Sequence, residues 1–384
     1  MQNPTLPNAA SEPESHRPES VLAIDAAPTV EMIDARSLSL EIKQAWGEIR
    51  DAHPFYRTPF FSYEFTEAVA RCAESPVQVL VMRRGGRITG LLPIQTSGRV
   101  ARPAGLGIND AHGLLVRDGE TRTITDALCE LGLQSYEFHS SPPELAECQQ
   151  YEVGRTRAFL ADLTVDPEGY EHYLRTHSTT IDRQGQKTRR LIREQGRLRL
   201  EFDCADSSLL DLLIQWKRDQ YCRTHTYDIM SVAWIRSLMH DLHQCDRSSM
   251  HGLLSVMFAG DTPVAMHYGM LDGDWLHYWF PVFDPQFGYG SPGSQLFLEI
   301  VRECESRGVT KIDMGYGEQR YKHKLTNVIT EMSLGLADSS RVRRQMFCAK
   351  RSLKARLKNL RGREALKPIA RRLLPRWGGS TYET

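Results

Sequence analysis

Hydrophobic and polar positions follow two rhythms along this chain, and the rhythm changes at nearly every cluster of glycine, proline or serine. SYEFTEAVARCA (Ser62 to Ala73) has apolar residues at helical spacing behind Ser62, a residue suited to capping a helix start. VQVLVM (Val77 to Met82) and ITGLLPI (Ile88 to Ile94) flank a Gly-Gly turn and predict a hairpin. GLGINDAHGLLV reads as strand and turn, and TRTITDALCELG as a helix. From Arg157 the pattern resumes with a strand (RAFLADL) and two very polar helices (PEGYEHYLRTHS, TIDRQGQKTRRLIREQG). RLRLEFD (Arg197 to Asp203) alternates like a strand. SSLLDLLIQWKRDQYCRT, with a serine cap, and SVAWIRSLMHDLHQ are helical. Three strands then turn at Gly260-Asp261 and Asp272-Gly273-Asp274, an antiparallel meander. A helix ending at Gly308, the strand TKIDMG and the strand VITEMSLGLA (Val328 to Ala337) complete the ordered pattern.

VMRRGGRITGLL, from Val81, is echoed by VMFAGDTPVAMH, from Val256, about 175 residues later, with Gly85 falling on Gly260. Each copy lies between a helix and further strands, so the pattern predicts a duplicated α/β unit. The expected organisation is a lead-in over 1–20, halves over 21–150 and 151–340, and a tail over 341–384. Ordered structure is expected from about Val21.

Hydrophobic content of 41% and charged content of 25% fit a globular protein with a sizeable core. Lysine plus arginine and aspartate plus glutamate both count 48, but the balance is uneven. Arg341 to Arg376 holds fourteen basic residues against one acid, Glu364, so the remainder is net acidic. No apolar run is long enough to span a bilayer, and the polar, proline-containing start has no secretory-signal pattern. Eight scattered cysteines with no C-x-x-C are expected to be buried thiols in a reducing compartment. No metal site is expected.

Between the meander and the last long helix lies FGYGSPGSQ. Gly288, Gly290 and Gly293 are expected to take positive φ and come close to a ligand. Ser291, Pro292 and Ser294 sit where the helix begins, and proline suits a first turn. A glycine turn feeding a helix start presents free amides at the positive end of a dipole, an anion site suited to phosphate. A plain, well-capped strand–helix turn is the other reading.

The order meander, glycine turn, helix, strand, polar-aromatic cluster resembles the core of the GNAT acyltransferases. More closely, FDPQFGYGSPGSQLFLEIVRECESRGVTKIDMGYGEQRYKHKL resembles the CelD/BcsL-like acyltransferases of bacterial polysaccharide biosynthesis, which share their fold with the FemAB peptidyltransferases. The residues that carry it are Ser291-Pro292-Gly293 and then Asp313, Gly315, Gly317, Tyr321 and Lys322. The general GNAT loop is Gln/Arg-x-x-Gly-x-Gly/Ala; here Gln286 precedes Gly288 and Gly290 with one residue fewer. The resemblance implies an α/β (α+β) fold: a GNAT-like mixed, largely antiparallel sheet flanked by helices, in two tandem units. It also implies acyl-CoA as donor co-substrate and a sugar, nucleotide-sugar or envelope precursor as acceptor of an N- or O-acyl group.

Such a reaction needs a base for the attacking group, a proton for the leaving thiolate and a donor to the oxyanion. Glu318 is the candidate base, Tyr321 the candidate acid, and Asp313 either joins them or braces the turn. Lys322 is a candidate for the donor phosphates, together with Gly288, Gly290, Ser291, Pro292, Gly293 and Ser294. His267 and His277 lie in the meander; His267 and Tyr278 are candidates for the acceptor pocket, or core. Arg189 and Arg190, on a basic helix, suit a phosphorylated acceptor, or are solvated. The tail has one apolar and one cationic face and fits an anionic membrane surface, a protein contact or RNA. A cytoplasmic enzyme, peripheral at the inner membrane face, is expected. Aminoacyl-tRNA as donor, and a non-catalytic nucleotide-binding scaffold, are the alternatives; nucleic acid is a partner only under the first.

Overall fold

The computed structural model describes residues 28–177 and 179–358. The first unit runs β1 (Thr29–Asp34), α1 (Leu40–Asp51), α2 (Tyr63–Cys72), β2 (Val77–Arg84), β3 (Arg87–Ser97), β4 (Val100–Pro103), β5 (Leu115–Val116), α3 (Ile124–Glu130), β6 (Ser135–Ser141), α4 (Ala146–Gln149) and β7 (Glu152–Asp162). α5 (Tyr170–His177) and α6 (Thr179–Gln195) follow. The second unit runs β8 (Leu198–Glu201), α7 (Ser207–Thr224), α8 (Ala233–His243), β9 (His251–Ala259), β10 (Thr262–Asp272), β11 (Trp275–Phe283), α9 (Pro292–Ser306), β12 (Lys311–Tyr316), α10 (Lys322–Leu325) and β13 (Val328–Asp338), and α11 (Arg341–Lys358) ends the description.

All the strands join one sheet, ordered β1-β2-β3-β4-β6-β13-β7-β12-β11-β10-β9-β8, with β5 beside β3. The order reads the same from both ends once β1 is matched with β8, β2 with β9, β3 with β10, β4 with β11, β6 with β12 and β7 with β13. Gly85 and Gly260, matched by the sequence echo, take φ of 55° and 59° in equivalent hairpin turns. The last strand of each unit is exchanged: β7 pairs with β12, β13 pairs with β6, and the two pair with each other at the centre. This is a mixed, mostly antiparallel sheet flanked by helices, in two tandem GNAT-like units. Cut after residue 150, the sheet falls into two contiguous blocks; counted by repeat, β7 belongs to the first unit.

Local chemistry explains the elements. Ser62 caps α2 by accepting the Phe65 amide at 3.1 Å, and the helix turns Phe65, Ala68 and Val69 inward. Full burial of a side chain such as Phe65 or Val69 stabilises by about 1.5–3 kcal/mol, and of a single methyl such as that of Ala68 by about 0.8 kcal/mol. α7 is capped by Asp206, which accepts the Ser208 amide at 2.8 Å; the serine cap expected there lies one residue inside. Of the loop GLGINDAHGLLV only Leu115–Val116 is strand. Cys129 and Cys222 are exposed, against the expectation of buried thiols, because each sits on the outer face of an amphipathic helix. No helix among the described residues is long and apolar enough to cross a membrane. The lead-in and the tail beyond Lys358 lie outside the described residues.

Candidate active site

β11 and β12 run parallel and pair at three positions, Trp275–Lys311, Leu276–Ile312 and His277–Asp313. Beyond them the strands part, and a bulge on each side is the cause. The β10–β11 register shifts between Tyr268 and Met270, leaving Gly269 opposite two residues of β11. A Cβ at Gly269 would lie 2.1 Å from the His277 carbonyl oxygen, so only glycine passes there. The β12–β7 register shifts between Asp313 and Tyr316, with Gly315 at φ 67°. Bulges bend and twist a strand away from its neighbour. The Asp284 amide donates to the Val264 carbonyl, so β11 turns alternate residues toward β10 and directs the Pro281 carbonyl to the opened edge.

A buried polar cluster sits at the apex of this gap. His277 is 0% exposed, with Nδ1 3.3 Å from Asp313 Oδ2 and Nε2 3.6 Å from Asp110 Oδ2. Asp313 Oδ1 accepts the Gly315 amide at 2.8 Å. Lys322, 5% exposed, donates through Nζ to the carbonyls of Tyr316 (2.6 Å) and Gly315 (3.4 Å). A Cβ at Gly315 would stand 2.0 Å from Asp110 Oδ2, so the D-x-G spacing lets a carboxylate of the first unit enter the second.

Asp110 is delivered by a loop with its own scaffold. Asn109 donates to the Ala104 carbonyl (2.9 Å) and accepts the Ala111 amide (3.1 Å); Ser140 Oγ donates to the Asp110 carbonyl (2.6 Å). His112 Nε2 accepts the amides of His139 and Ser140, tying the loop to β6. Burial first, then nearby His139, hold His112 well below the usual imidazole range, which suits a ring that accepts.

The electrostatics favour groups poised near neutrality. Burial raises the Asp110 carboxyl to about 6; His277 and Lys322 oppose the shift and Asp313 adds to it. Burial lowers the Lys322 ammonium to about 8, against the pull of Asp110, Asp313 and Glu318. Tyr321 keeps 38% of its surface exposed, yet burial of its hydroxyl end leads the causes that raise its pKa, followed by Asp110.

The sequence-derived candidates therefore separate. Asp313 and Lys322 join the cluster, and Tyr321 stands within reach of Asp110's charge. Lys322 turns its amine inward to carbonyls rather than out to a donor phosphate. Glu318 is half-exposed and pairs with Arg157 (2.7 Å) and His323 (3.1 Å). His267 and Tyr278 are enclosed and stack on each other at 4.0 Å. Arg189 is exposed on α6, and Arg190 lies over the Tyr289 ring at 4.6 Å while bonding Glu194.

The glycine turn differs from expectation. Gly288, Gly290 and Gly293 have no positive φ; Ser291 takes it instead, at 54°. The reason is a right-handed 3-10 turn over Pro285–Gly290, started by Pro285 and capped by Asp284, which leaves Ser291 to reverse the chain. Gly290 is glycine because Leu191 of α6 comes within 2.9 Å of where its Cβ would be. Pro292 opens α9 as expected. The Ser294 and Gln295 amides bond the Ser291 carbonyl, leaving the Gly293 amide with no protein partner among the described residues. That first turn packs on Phe283, at the outer end of the opened β11 edge.

Residues 182–323 match the family model of the acetyltransferase (GNAT) domain. The chain carries a GNAT acetyltransferase domain, and it is an acyltransferase. The matched span runs from α6 to α10 and contains the glycine turn, the parted strands and three of the four clustered residues; Asp110 lies outside it. Solved structures agree on the fold. FemX superposes with a TM-score of 0.54 at 8% identity, over 83% of this chain and 100% of that one. A conserved protein of unknown function from Bacteroides thetaiotaomicron gives 0.54 at 10% identity, covering 81% and 100%. The C-terminal domain of a protein described as a lysylphosphatidylglycerol synthetase, from Agrobacterium fabrum, gives 0.51 at 13% identity, covering 81% and 95%. No curated protein matches.

Sequence reasoning missed Asp110 and gave His277 no role. Asp110 had one signal, a lone acid in a glycine-rich loop, and nothing in the text tied that loop to the second unit. Lys217 of α7 was also missed: it reads as a solvent-facing helix residue but is 7% exposed.

Proposed function

We propose that the protein moves an acyl group from acyl-CoA to an amine or hydroxyl of a sugar, nucleotide-sugar or other envelope-polysaccharide precursor. The carrying observation is the gap between β11 and β12, with Asp110, His277, Asp313 and Lys322 at its apex and an uncommitted helix-start amide at its outer end. The gap offers an extended donor arm a strand edge to lie along. Gly293 N–H and Arg190 of α6 suit its phosphates. Trp279, half-buried on the same edge, suits a sugar ring.

In this reading Asp110 takes the proton from the attacking amine or hydroxyl. A carboxylate raised to about 6 is a stronger base than an ordinary one and is still ionised at neutral pH. His277, held by Asp313, steadies the charge Asp110 carries, and Lys322 holds the turn that shapes the apex. Tyr321, with its hydroxyl protonated, supplies a proton to the departing thiolate. Holding both substrates in one cleft supplies much of the rate. Glu318 then belongs to the rim, with Arg157 and His323.

The same reading holds the enzyme at the cytoplasmic face of an anionic membrane through α11. Val342, Met346 and Leu353 are exposed on one side of that helix, which has eight basic residues and no acid from Arg341 to Lys358. Charge complementarity supports this attachment.

Thermal melting with acetyl-CoA, longer acyl-CoAs and bulk tRNA tests the donor. A ligand at a hundred times its Kd stabilises by about 2.7 kcal/mol. A rise with an acyl-CoA is expected. A rise with tRNA alone transfers the assignment to an aminoacyl transferase, and silence from all three rejects a donor site.

A further inference from the structure

Lys217 is a buried cation with no acid to answer it. Its Nζ donates to Gln220 Oε1 (2.8 Å) and to the Pro281 carbonyl (3.2 Å), and lies 4.8 Å above the Tyr221 ring. No carboxylate lies within ion-pair distance of it among the described residues. Burial lowers its ammonium to about 7. Buried charges are ordinarily paired. A fully charged ammonium has three donors, and two are spent here.

Its place in the fold gives it a use. The carbonyl it touches is the one β11 directs into the gap, beyond the last pairing with β12. Tyr221, one turn further along α7, sets its ring beneath the amine. Lys217 thus lies against the free edge of β11, past its last pairing with β12.

We propose that Lys217 donates the hydrogen bond that receives the carbonyl oxygen of the acyl group and the negative charge it gathers during transfer. This rests on the reading that the donor enters between β11 and β12. As the acceptor attacks the carbonyl carbon, the C=O electron pair moves onto that oxygen. The pair returns when the C–S bond breaks and the thiolate leaves. A charged donor aimed at that oxygen strengthens as charge develops. Gln220 keeps the amine on the gap side of α7, and the Tyr221 face limits water around it.

The test compares acetyl-CoA with S-ethyl-CoA, which lacks the carbonyl oxygen, by titration calorimetry on the full chain. The wild-type protein is expected to bind acetyl-CoA about tenfold tighter, the contribution of one charge-assisted hydrogen bond. Lys217→Met is expected to bind both ligands equally, with the S-ethyl-CoA affinity unchanged from wild type. If that variant does not fold, Lys217→Gln, a neutral donor of similar shape, is expected to reduce the preference to about threefold. Loss of both affinities by the same factor, or an unchanged preference, leaves Lys217 a brace for the strand edge and overturns the proposal. If the wild-type protein binds neither ligand, the donor reading fails and this inference fails with it.

Discussion

Replacing Asp110 by asparagine should make the protein more stable, and more so at neutral than at acid pH. Folding raises this carboxyl from 3.8 to about 6. A carboxylate raised on folding holds its proton more tightly in the native state, so stability is greatest below the unfolded value and falls as pH climbs between the two. Each unit corresponds to about 1.4 kcal/mol, so the ionised side chain costs about 3 kcal/mol at pH 7.5 and about 1 kcal/mol at pH 4.5. The asparagine side chain has the same shape and no charge. The Asp110→Asn gain should therefore be about 2 kcal/mol larger at pH 7.5 than at pH 4.5. Urea unfolding of both proteins at the two pH values measures it, and comparing each with the other cancels every group they share. A gain that does not change with pH, or one larger at pH 4.5, would refute the account of a carboxylate held charged against its surroundings. The same substitution should slow acyl transfer by about 10²–10⁴-fold.

Three other outcomes follow. Transfer measured against pH should rise through about 6 as Asp110 ionises, and fall above about 7 as Lys217 and then, near 8, Lys322 lose their protons; a flat profile from 5 to 9 would exclude all three groups. Gly315→Ala forces a Cβ into Asp110 Oδ2 at a φ of 67°, and should lower stability by about 2–4 kcal/mol and abolish turnover, read by urea unfolding and thiol release. Met346→Glu and Leu353→Glu should each release the protein from vesicles of mixed anionic lipid, with wild-type binding weakening as salt rises; equal binding to neutral vesicles would reject the electrostatic part.

Much of the architecture was legible because it is local. The hairpin echo around Gly85 and Gly260, the serine cap of α2 and the helix stop at Gly308 each follow from a few adjacent residues. The strand exchange was not legible, since alternation tells which face a strand buries and not which strand lies beside it. His267 and His277 show the same limit. Both lie in apolar strands ten residues apart in the meander, and a bulge at Gly269 decides that one stacks inside while the other faces two carboxylates. The motif singled out Asp313 and Lys322, which the fold brings to one cluster, though the Lys322 amine turns to carbonyls. Asp110 was not singled out, because only tertiary packing brings it to Gly315. The glycines of the loop misled because a 3-10 turn absorbed the reversal at a serine.

The exchanged strands have a consequence for biogenesis. Until β13 is made, β6 waits with an unsatisfied margin able to recruit a stranger's backbone, so the nascent first unit is a template for intermolecular joining. Two separate copies trading their closing strands would leave this same palindrome, with the linker helices as the seam where they were later sewn into one polypeptide. A seam of that kind also removes any hinge between the units: whatever admits substrate has to be a local rearrangement of α6, α10 or the loops, because the framework behind the cleft is a single woven sheet.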